Sequence, residues 1–130
     1  MKTAEYYVPP GVYKVVCKDQ KIITAKLGFK GIEVLLEIVK PLKSKGQMIR
    51  HIFWITERNL VYVFRDAAVI LRRRPRYLST LARRAVWIGK TCEVDVRDET
   101  FRGVKWGRVR FFNSWEPKKH GRTSVGKRAL

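Results

Sequence analysis

The alternation of apolar and polar side chains limits this chain to a fold built mainly from β-strands. Residues 91–98 read TCEVDVRD, in which Cys92, Val94 and Val96 alternate strictly with polar residues. Residues 32–39 read IEVLLEIV and place apolar side chains on one face and two glutamates on the other. Because successive side chains of a strand point to opposite faces, this period of two predicts two strands with one buried face each.

Three further stretches predict the rest of the sheet. Residues 12–19 form the first predicted strand, and residues 22–25 extend it past a bend. Residues 48–55 (MIRHIFWI) and 104–112 are rich in β-branched and aromatic side chains, which favour strands. Together with the two alternating stretches they make five strands, of which the first three follow one another as a meander.

A helical insert is predicted between the third and fourth strands. Thr56 is the predicted N-cap of a helix that ends at Leu71, because the apolar residues between them recur at helical spacing. Pro75 interrupts this pattern, residues 77–85 resume it as a second short helix, and Gly89 closes it. This order predicts a mainly β fold: a five-stranded, OB-like, partly open barrel with a helical insert.

The length of 130 residues fits one domain with irregular ends. Residues 1–10 finish in a proline pair, which cannot donate hydrogen bonds to a sheet, so we expect an irregular lead-in there. Residues 11–116 form the predicted OB-like domain. Residues 117–130 hold five Lys or Arg and no acid, which predicts a flexible basic tail.

The net positive charge of the chain indicates a polyanionic partner. Lys and Arg total 29 against 11 Asp and Glu, so the net charge is +18, and +13 remains after the tail's +5 is subtracted. Self-repulsion of this size is costly without a partner of opposite charge. Membrane lipid is the competing polyanion, but the apolar runs are too short to span a bilayer and no charged-then-apolar leader opens the chain. We therefore expect a soluble, cytoplasmic protein that is not secreted and has no membrane partner.

The fifth strand carries the main predicted binding face. Its alternation sets aromatic and basic side chains against Gly107, Val109 and Phe111, which we expect to be buried. Exposed rings stack on bases of any identity and interleaved arginines bind phosphates, so such a face suits unpaired bases. The alternative left open is that the rings of Trp106 and Phe112 cover the barrel ends or pack beneath the helices. The predicted binding residues are Trp106, Arg108, Arg110 and Phe112, with Trp54 of the third strand.

A second concentration of cations lies at residues 65–84 of the insert, where seven arginines meet a single acid, Asp66. Arginine suits bidentate contact with phosphate, whereas the competing interpretation is a solvated helix face with no ligand. The tail cations predict a nonspecific electrostatic arm. The predicted phosphate-binding residues are Arg72, Arg73, Arg74, Arg76, Arg83, Arg84, Lys118 and Lys119.

The sequence gives little support for a catalytic site or a metal-binding site. His51 stands alone in a strand and His120 lies in the tail, while Cys17 and Cys92 are far apart and lack the spacing of a zinc site. Whether the two cysteines form a disulfide is left open. We expect no enzyme activity, no cofactor and no metal, although a nuclease using a divalent ion would draw on Glu93, Asp95, Asp98 and Glu99.

Four short segments resemble those of small phage- or virus-type single-stranded DNA-binding proteins: PGVYKV (10–15), IGKTCEV (88–94), FRG (101–103) and VRFF (109–112). The likeness runs over residues 10–112 and implies an OB-like barrel whose exposed strand face binds DNA. Many proteins with that function end in an acidic tail that recruits partners. This chain ends in a basic one, so that means of recruitment is not implied.

The predicted function is non-catalytic binding of single-stranded nucleic acid by base stacking and phosphate neutralisation. DNA is preferred to RNA through the resemblance alone. Two alternatives stay open. In the first, the arginine-rich helices and the tail bind structured RNA or duplex DNA. In the second, the chain is a virion or scaffold protein that packages nucleic acid on its basic surface. The sequence also leaves open a homo-oligomer.

Overall fold

The computed structural model describes residues 2–3 and 5–117, which form a mainly β fold with a few short helices. The predicted insertion of helices between the third and fourth long strands is confirmed. The strands are β1 (Lys2–Thr3), β2 (Gly11–Thr24), β3 (Lys30–Lys40), β4 (Met48–Trp54), β5 (Thr91–Phe101) and β6 (Val104–Ser114). The helices are α1 (Leu60–Leu71), α2 (Leu78–Leu81) and α3 (Arg84–Trp87), with a 3-10 turn at Leu42–Ser44.

The five long strands form one antiparallel sheet in the order β6-β5-β2-β3-β4, and β1 adds a short parallel pairing outside β6. Within the described residues β4 pairs only with β3, so the sheet is not closed into a barrel. Its two outer long strands nevertheless approach each other through aromatic rings. The ring of Phe112 on β6 lies 5.0 Å from that of His51 and 5.6 Å from that of Phe53, both on β4. We call this approach the seam.

The predicted period of two sets the core. On β3 and β5 the apolar set faces inward, and Val34, Leu36, Val94 and Val96 are at most 1% exposed. Burying such side chains stabilises the fold by roughly 1.5–3 kcal/mol each. The strand predicted in two pieces around a bend is the single strand β2, whose pairing shifts by one residue between Cys17 and Asp19. The two predicted pieces are therefore one strand with regular pairing at residues 19–22, where the bend was predicted, and a β-bulge at Lys18.

The lead-in takes part in the fold, contrary to the sequence-based expectation. Val8 is 2% exposed and belongs to the core. The hydroxyl of Tyr7 donates to Asp98 at 2.7 Å, and the hydroxyl of Tyr13 donates to the carbonyl of Pro9 at 2.6 Å. A Cβ on Gly107 would come 3.0 Å from the Val8 carbonyl oxygen, so the segment before β2 runs directly against β6. The folded unit thus begins before Gly11.

The insert follows the predicted pattern with two changes. The hydroxyl of Thr56 accepts the backbone N–H of Asn59 at 3.2 Å, so Thr56 forms a turn before α1 instead of being its N-cap. The predicted second helix is two short helices, α2 and α3. Trp87 of α3 links the two helices, because its buried indole N–H donates a hydrogen bond to the carbonyl of Leu81 in α2 at 2.8 Å. At twelve residues α1 is the longest helix of the described chain, and no helix there is long and apolar enough to cross a membrane.

Candidate functional site

A groove of about 540 Å³ opens along the seam between β4 and β6. It brings together two of the predicted stacking residues, Trp54 and Trp106, and one predicted phosphate ligand, Arg108. The lead-in also borders it, through Glu5 and Tyr6. We call this the seam groove, and its principal lining side chains are Arg50, His51, Trp54, Phe101, Trp106 and Arg108.

The position of Trp54 depends on a glycine on the neighbouring strand. Gly31 lies directly opposite Trp54 in the ladder between β3 and β4. A Cβ on Gly31 would come within 2.7 and 2.8 Å of two carbons of the Trp54 ring, so the indole occupies the space a side chain would fill. Phe29 meets the same indole edge-on, with ring centroids 5.3 Å apart. Trp54 is thereby held at the rim of the sheet and half-buried.

Trp106 and Arg108 project from the outward face of β6. Their partners on β5 are Glu99 and Arg97, which lie on the face opposite the buried Val94 and Val96. Trp106 is 39% exposed, which leaves ring surface available to a ligand.

A β-bulge on β6 corrects the predicted face of this strand. Val96 pairs with Val109 and Asp95 pairs with Phe111, so Arg110 is an extra residue without a partner on β5. An extra residue shifts the inward and outward alternation by one position. Phe112 is therefore only 7% exposed and sits in the core, whereas Phe111 is 52% exposed. The prediction was wrong for both phenylalanines, while Arg110 is exposed as expected.

The arginines of the seam groove are already paired with carboxylates. Arg108 contacts both oxygens of Glu99 at 2.9 and 3.1 Å, and Arg50 lies 3.5 Å from Glu33. Burial, with a smaller contribution from nearby Arg108, lowers the pKa of His51 to about 4, so this imidazole is neutral at physiological pH. The groove consequently offers aromatic surface with little net charge.

Two of the predicted insert arginines have structural roles. Arg72 donates to the hydroxyl of Thr91 at 2.9 Å and to the backbone carbonyls of Thr91 and Trp115. Arg84 pairs with Asp19 at 2.7 Å. The remaining four are exposed and have no acidic partner within the described residues: Arg73, Arg74, Arg76 and Arg83. Lys118 and Lys119, with the rest of the predicted tail beyond Pro117, lie outside the described residues.

The seam groove and Arg72 of the insert lie toward opposite ends of β6. Trp106 is near the start of this strand, and the contact between Arg72 and Trp115 lies just beyond its end. The structure therefore divides the predicted site into two regions. One supplies aromatic rings and the other supplies unpaired cations.

The acidic residues considered for a metal-dependent reaction are each engaged by a neighbour. Glu93 pairs with Lys14, Asp95 with Arg97, Asp98 with Tyr7 and Lys105, and Glu99 with Arg108. Across the described part of the chain no three His, Cys, Asp or Glu residues are grouped to hold a metal ion.

The two cysteines are buried and free, so the disulfide left open by the sequence is not present. Burial raises the pKa of Cys17 to about 11 and that of Cys92 to about 12. Thiols in this environment stay protonated and unreactive.

Sequence reasoning missed Arg50 and Phe101 as groove residues. Arg50 shares its outward face with Ile52 and Trp54, a signal visible in the alternation of β4. Phe101 ends β5 beside the turn to β6 and is 61% exposed. Its place in the groove depends on how β4 approaches β6, which no local pattern reveals.

A scan against models of known protein families matched none of them, and a search of curated proteins found no similar sequence. A function must therefore be argued from the geometry of the seam groove and its surroundings.

Proposed function

We propose that the protein binds single-stranded nucleic acid in the seam groove without catalysis. The observation that carries the proposal is the meeting of Trp54 and Trp106, which come from different strands, in one groove with Arg50 and Arg108. Two rings and two guanidinium groups are suited to unstacked bases joined by phosphates. DNA is the preferred ligand because of the resemblance of the sequence to single-stranded DNA-binding proteins.

The dimensions and charges of the groove support this proposal. Its volume of about 540 Å³ lies within the range of small-molecule sites, which is ample for a base with its sugar. Stacking on an aromatic ring contributes about 1–3 kcal/mol per base. The pair between Arg108 and Glu99 is exposed. Because exposed ion pairs are worth only about 0–1 kcal/mol, Arg108 can exchange its carboxylate for a phosphate at little cost.

The strand order also supports the proposal. β4 and β6 are the two long strands that would meet if the sheet closed, and aromatic rings already span the seam between them. An OB-like barrel is five-stranded and partly open, and its exposed strand face binds oligonucleotides. We assign the fold to this type as part of the proposal.

The test is a titration of the protein with oligo-dT and with a duplex of equal length, followed by tryptophan fluorescence and by anisotropy of a labelled strand. We expect tighter binding of the single strand, with quenching of tryptophan. Trp106→Ala and Trp54→Ala should each cost about 1–3 kcal/mol of affinity, roughly 5- to 150-fold. Tyr62→Ala is the matched control, because Tyr62 is an aromatic residue on α1, 53% exposed and outside the groove lining.

Equal or tighter binding of duplex, with unchanged fluorescence and no effect of Trp106→Ala, would contradict the proposal. That result would favour the second candidate, binding of duplex DNA or structured RNA through the insert. The observation behind this candidate is the set of four exposed arginines without acidic partners among the described residues, Arg73, Arg74, Arg76 and Arg83.

A further inference from the structure

The outward face of β6 continues the binding surface beyond the seam groove. Trp106, Arg108 and Phe111 pair with Glu99, Arg97 and Asp95 of β5 respectively. Those three partners alternate with buried β5 residues, so all three β6 side chains share one face. The bulge adds Arg110, whose guanidinium lies 5.5 Å from the centre of the Phe111 ring. Exposed rings and arginines thus follow the strand without interruption.

The row of exposed rings and arginines on β6 ends where Arg72 of the insert contacts the sheet. Thr91, at the first position of β5, has the same parity as Asp95 and therefore faces the same side. Its hydroxyl accepts from Arg72, and Arg72 also holds the carbonyl of Trp115 just beyond β6. The exposed residues Arg73 and Arg74 follow Arg72 directly in the chain. The group of exposed insert arginines therefore starts at the end of this face.

The charges along this face increase toward the insert. On this face each β5 carboxylate is paired: Glu99 with Arg108 at 2.9 Å, Asp95 with Arg97 at 3.3 Å and, farther along, Glu93 with Lys14 at 3.1 Å. Within the described residues Arg110 has no acidic partner, and neither do Arg73, Arg74 and Arg76. A polyanion bound in the groove would gain most of its electrostatic attraction by extending along β6.

We infer that a nucleic-acid strand leaves the seam groove along the outward face of β6 and reaches the insert, so that the ligand is a single strand long enough to span both regions. This inference rests on the proposed function. Trp106 and Trp115 are nine positions apart. At a rise of about 3.3 Å per residue this distance is about 30 Å. At about 3.4 Å per stacked nucleotide it corresponds to about nine nucleotides, and fewer when the strand is extended.

The experiment measures the affinity of labelled oligo-dT of about four and about twelve nucleotides, both within the roughly 4–16 nucleotides that a single site binds. The wild-type protein should bind the longer strand at least tenfold more tightly than the shorter one. The triple variant Arg73→Gln, Arg74→Gln, Arg76→Gln should lose that advantage while its affinity for the short strand stays within twofold. Three lost phosphate contacts should also flatten the slope of log affinity against log salt by about 2 for the long strand.

The control is Lys40→Gln, Lys43→Gln, Lys45→Gln, which removes the same charge from exposed positions at the end of β3 and on its connection to β4. It should leave the length dependence and the salt slope close to those of the wild type. An equal effect of both triple variants would overturn the inference, because it would show a response to net charge alone. Long-strand binding unchanged by the insert variant would overturn it as well.

The failure of this inference can be told from the failure of the proposed function. If the short strand binds and depends on Trp106 while the insert variant has no effect, the inference alone fails. If neither strand quenches tryptophan and Trp106→Ala changes nothing, the proposed function fails and the inference with it.

Discussion

Replacing Gly31 with alanine should displace Trp54, and the size of the effect can be estimated from the structure. The new Cβ would lie 2.7 and 2.8 Å from two ring carbons of Trp54 and 3.0 Å from Cγ2 of Ile52. Ordinary van der Waals contact begins at 3.4 Å, so the indole must move by more than half an ångström. The backbone at Gly31 has no positive φ, so alanine itself is not strained. Overpacking of this kind costs about 1–3 kcal/mol.

The same substitution should have the opposite sign when Trp54 is absent. In a Trp54→Ala background the clash with the indole is removed, and Cγ2 of Ile52 at 3.0 Å needs to move by only a few tenths of an ångström. Alanine then replaces a glycine inside a strand, which stabilises the folded state by roughly 0.5–1 kcal/mol. The coupling free energy between the two positions is the sum of the cost of about 1–3 kcal/mol and this gain, so it should be about 1.5–4 kcal/mol. The assay is urea unfolding of the four proteins of this double-mutant cycle, followed by far-ultraviolet circular dichroism because one tryptophan is varied.

Equal changes in the free energy of unfolding in both backgrounds would refute this reasoning, since they would show that Gly31 does not hold the indole in place. A binding measurement extends the test to the site. If Trp54 stacks on a base, Gly31→Ala should weaken single-strand binding even though it leaves the indole in the chain.

Three other predictions concern the core. Phe112→Ala should lower the free energy of unfolding by about 3–5 kcal/mol, because the Phe112 ring is buried. Phe111→Ala should change it by only about 0.5 kcal/mol, because the Phe111 ring is exposed. If urea unfolding ranked the two variants in the reverse order, the bulge would be disproved. The pKa of His51 in the folded chain is about 4, against its ordinary value of 6.5, so between these two pH values the unfolded chain takes up a proton that the folded chain does not. Stability should therefore fall as the pH decreases through that window, and a His51→Gln variant with an equally steep fall would contradict this. Cys17 and Cys92 should resist alkylation at mildly alkaline pH until the protein is unfolded in urea, and labelling of the native protein, followed by mass spectrometry, would show that one of them is accessible.

Local patterns in the sequence were sufficient to predict most of the elements. The strict alternation around Val94 and the helical spacing up to Leu71 each report one buried face, and burial of that face fixes the element. The bulge at Arg110 could not be predicted in this way. Residues 109–112 (VRFF) carry apolar side chains in both possible phases, so only the packing of β6 against β4 decides which phenylalanine is buried.

The parts of the site that sequence reasoning misassigned depend on contacts between residues distant in the chain. Arg84 has no acidic neighbour in the sequence, but in the fold Asp19 lies beside it at 2.7 Å. Val8 lies in a segment with no strand pattern, yet it fills space against Gly107. The seam groove itself exists because β4 and β6 approach without pairing. A pattern along one strand does not reveal its distance from another.

The unclosed sheet also has a consequence for how the protein behaves at high concentration. Within the described chain β4 pairs on one side only, and an open strand edge is a template for strands of other molecules. At the opposite edge, the short strand Lys2–Thr3 covers the start of β6 by pairing with Val104 and Lys105. Removing only the residues before Glu5 would uncover this part of the edge and keep Val8 in the core, so that β6 of one molecule would be free to add to β4 of the next. Light scattering should therefore show open-ended association of the shortened form, whereas Lys2–Thr3 should limit this association in the full chain.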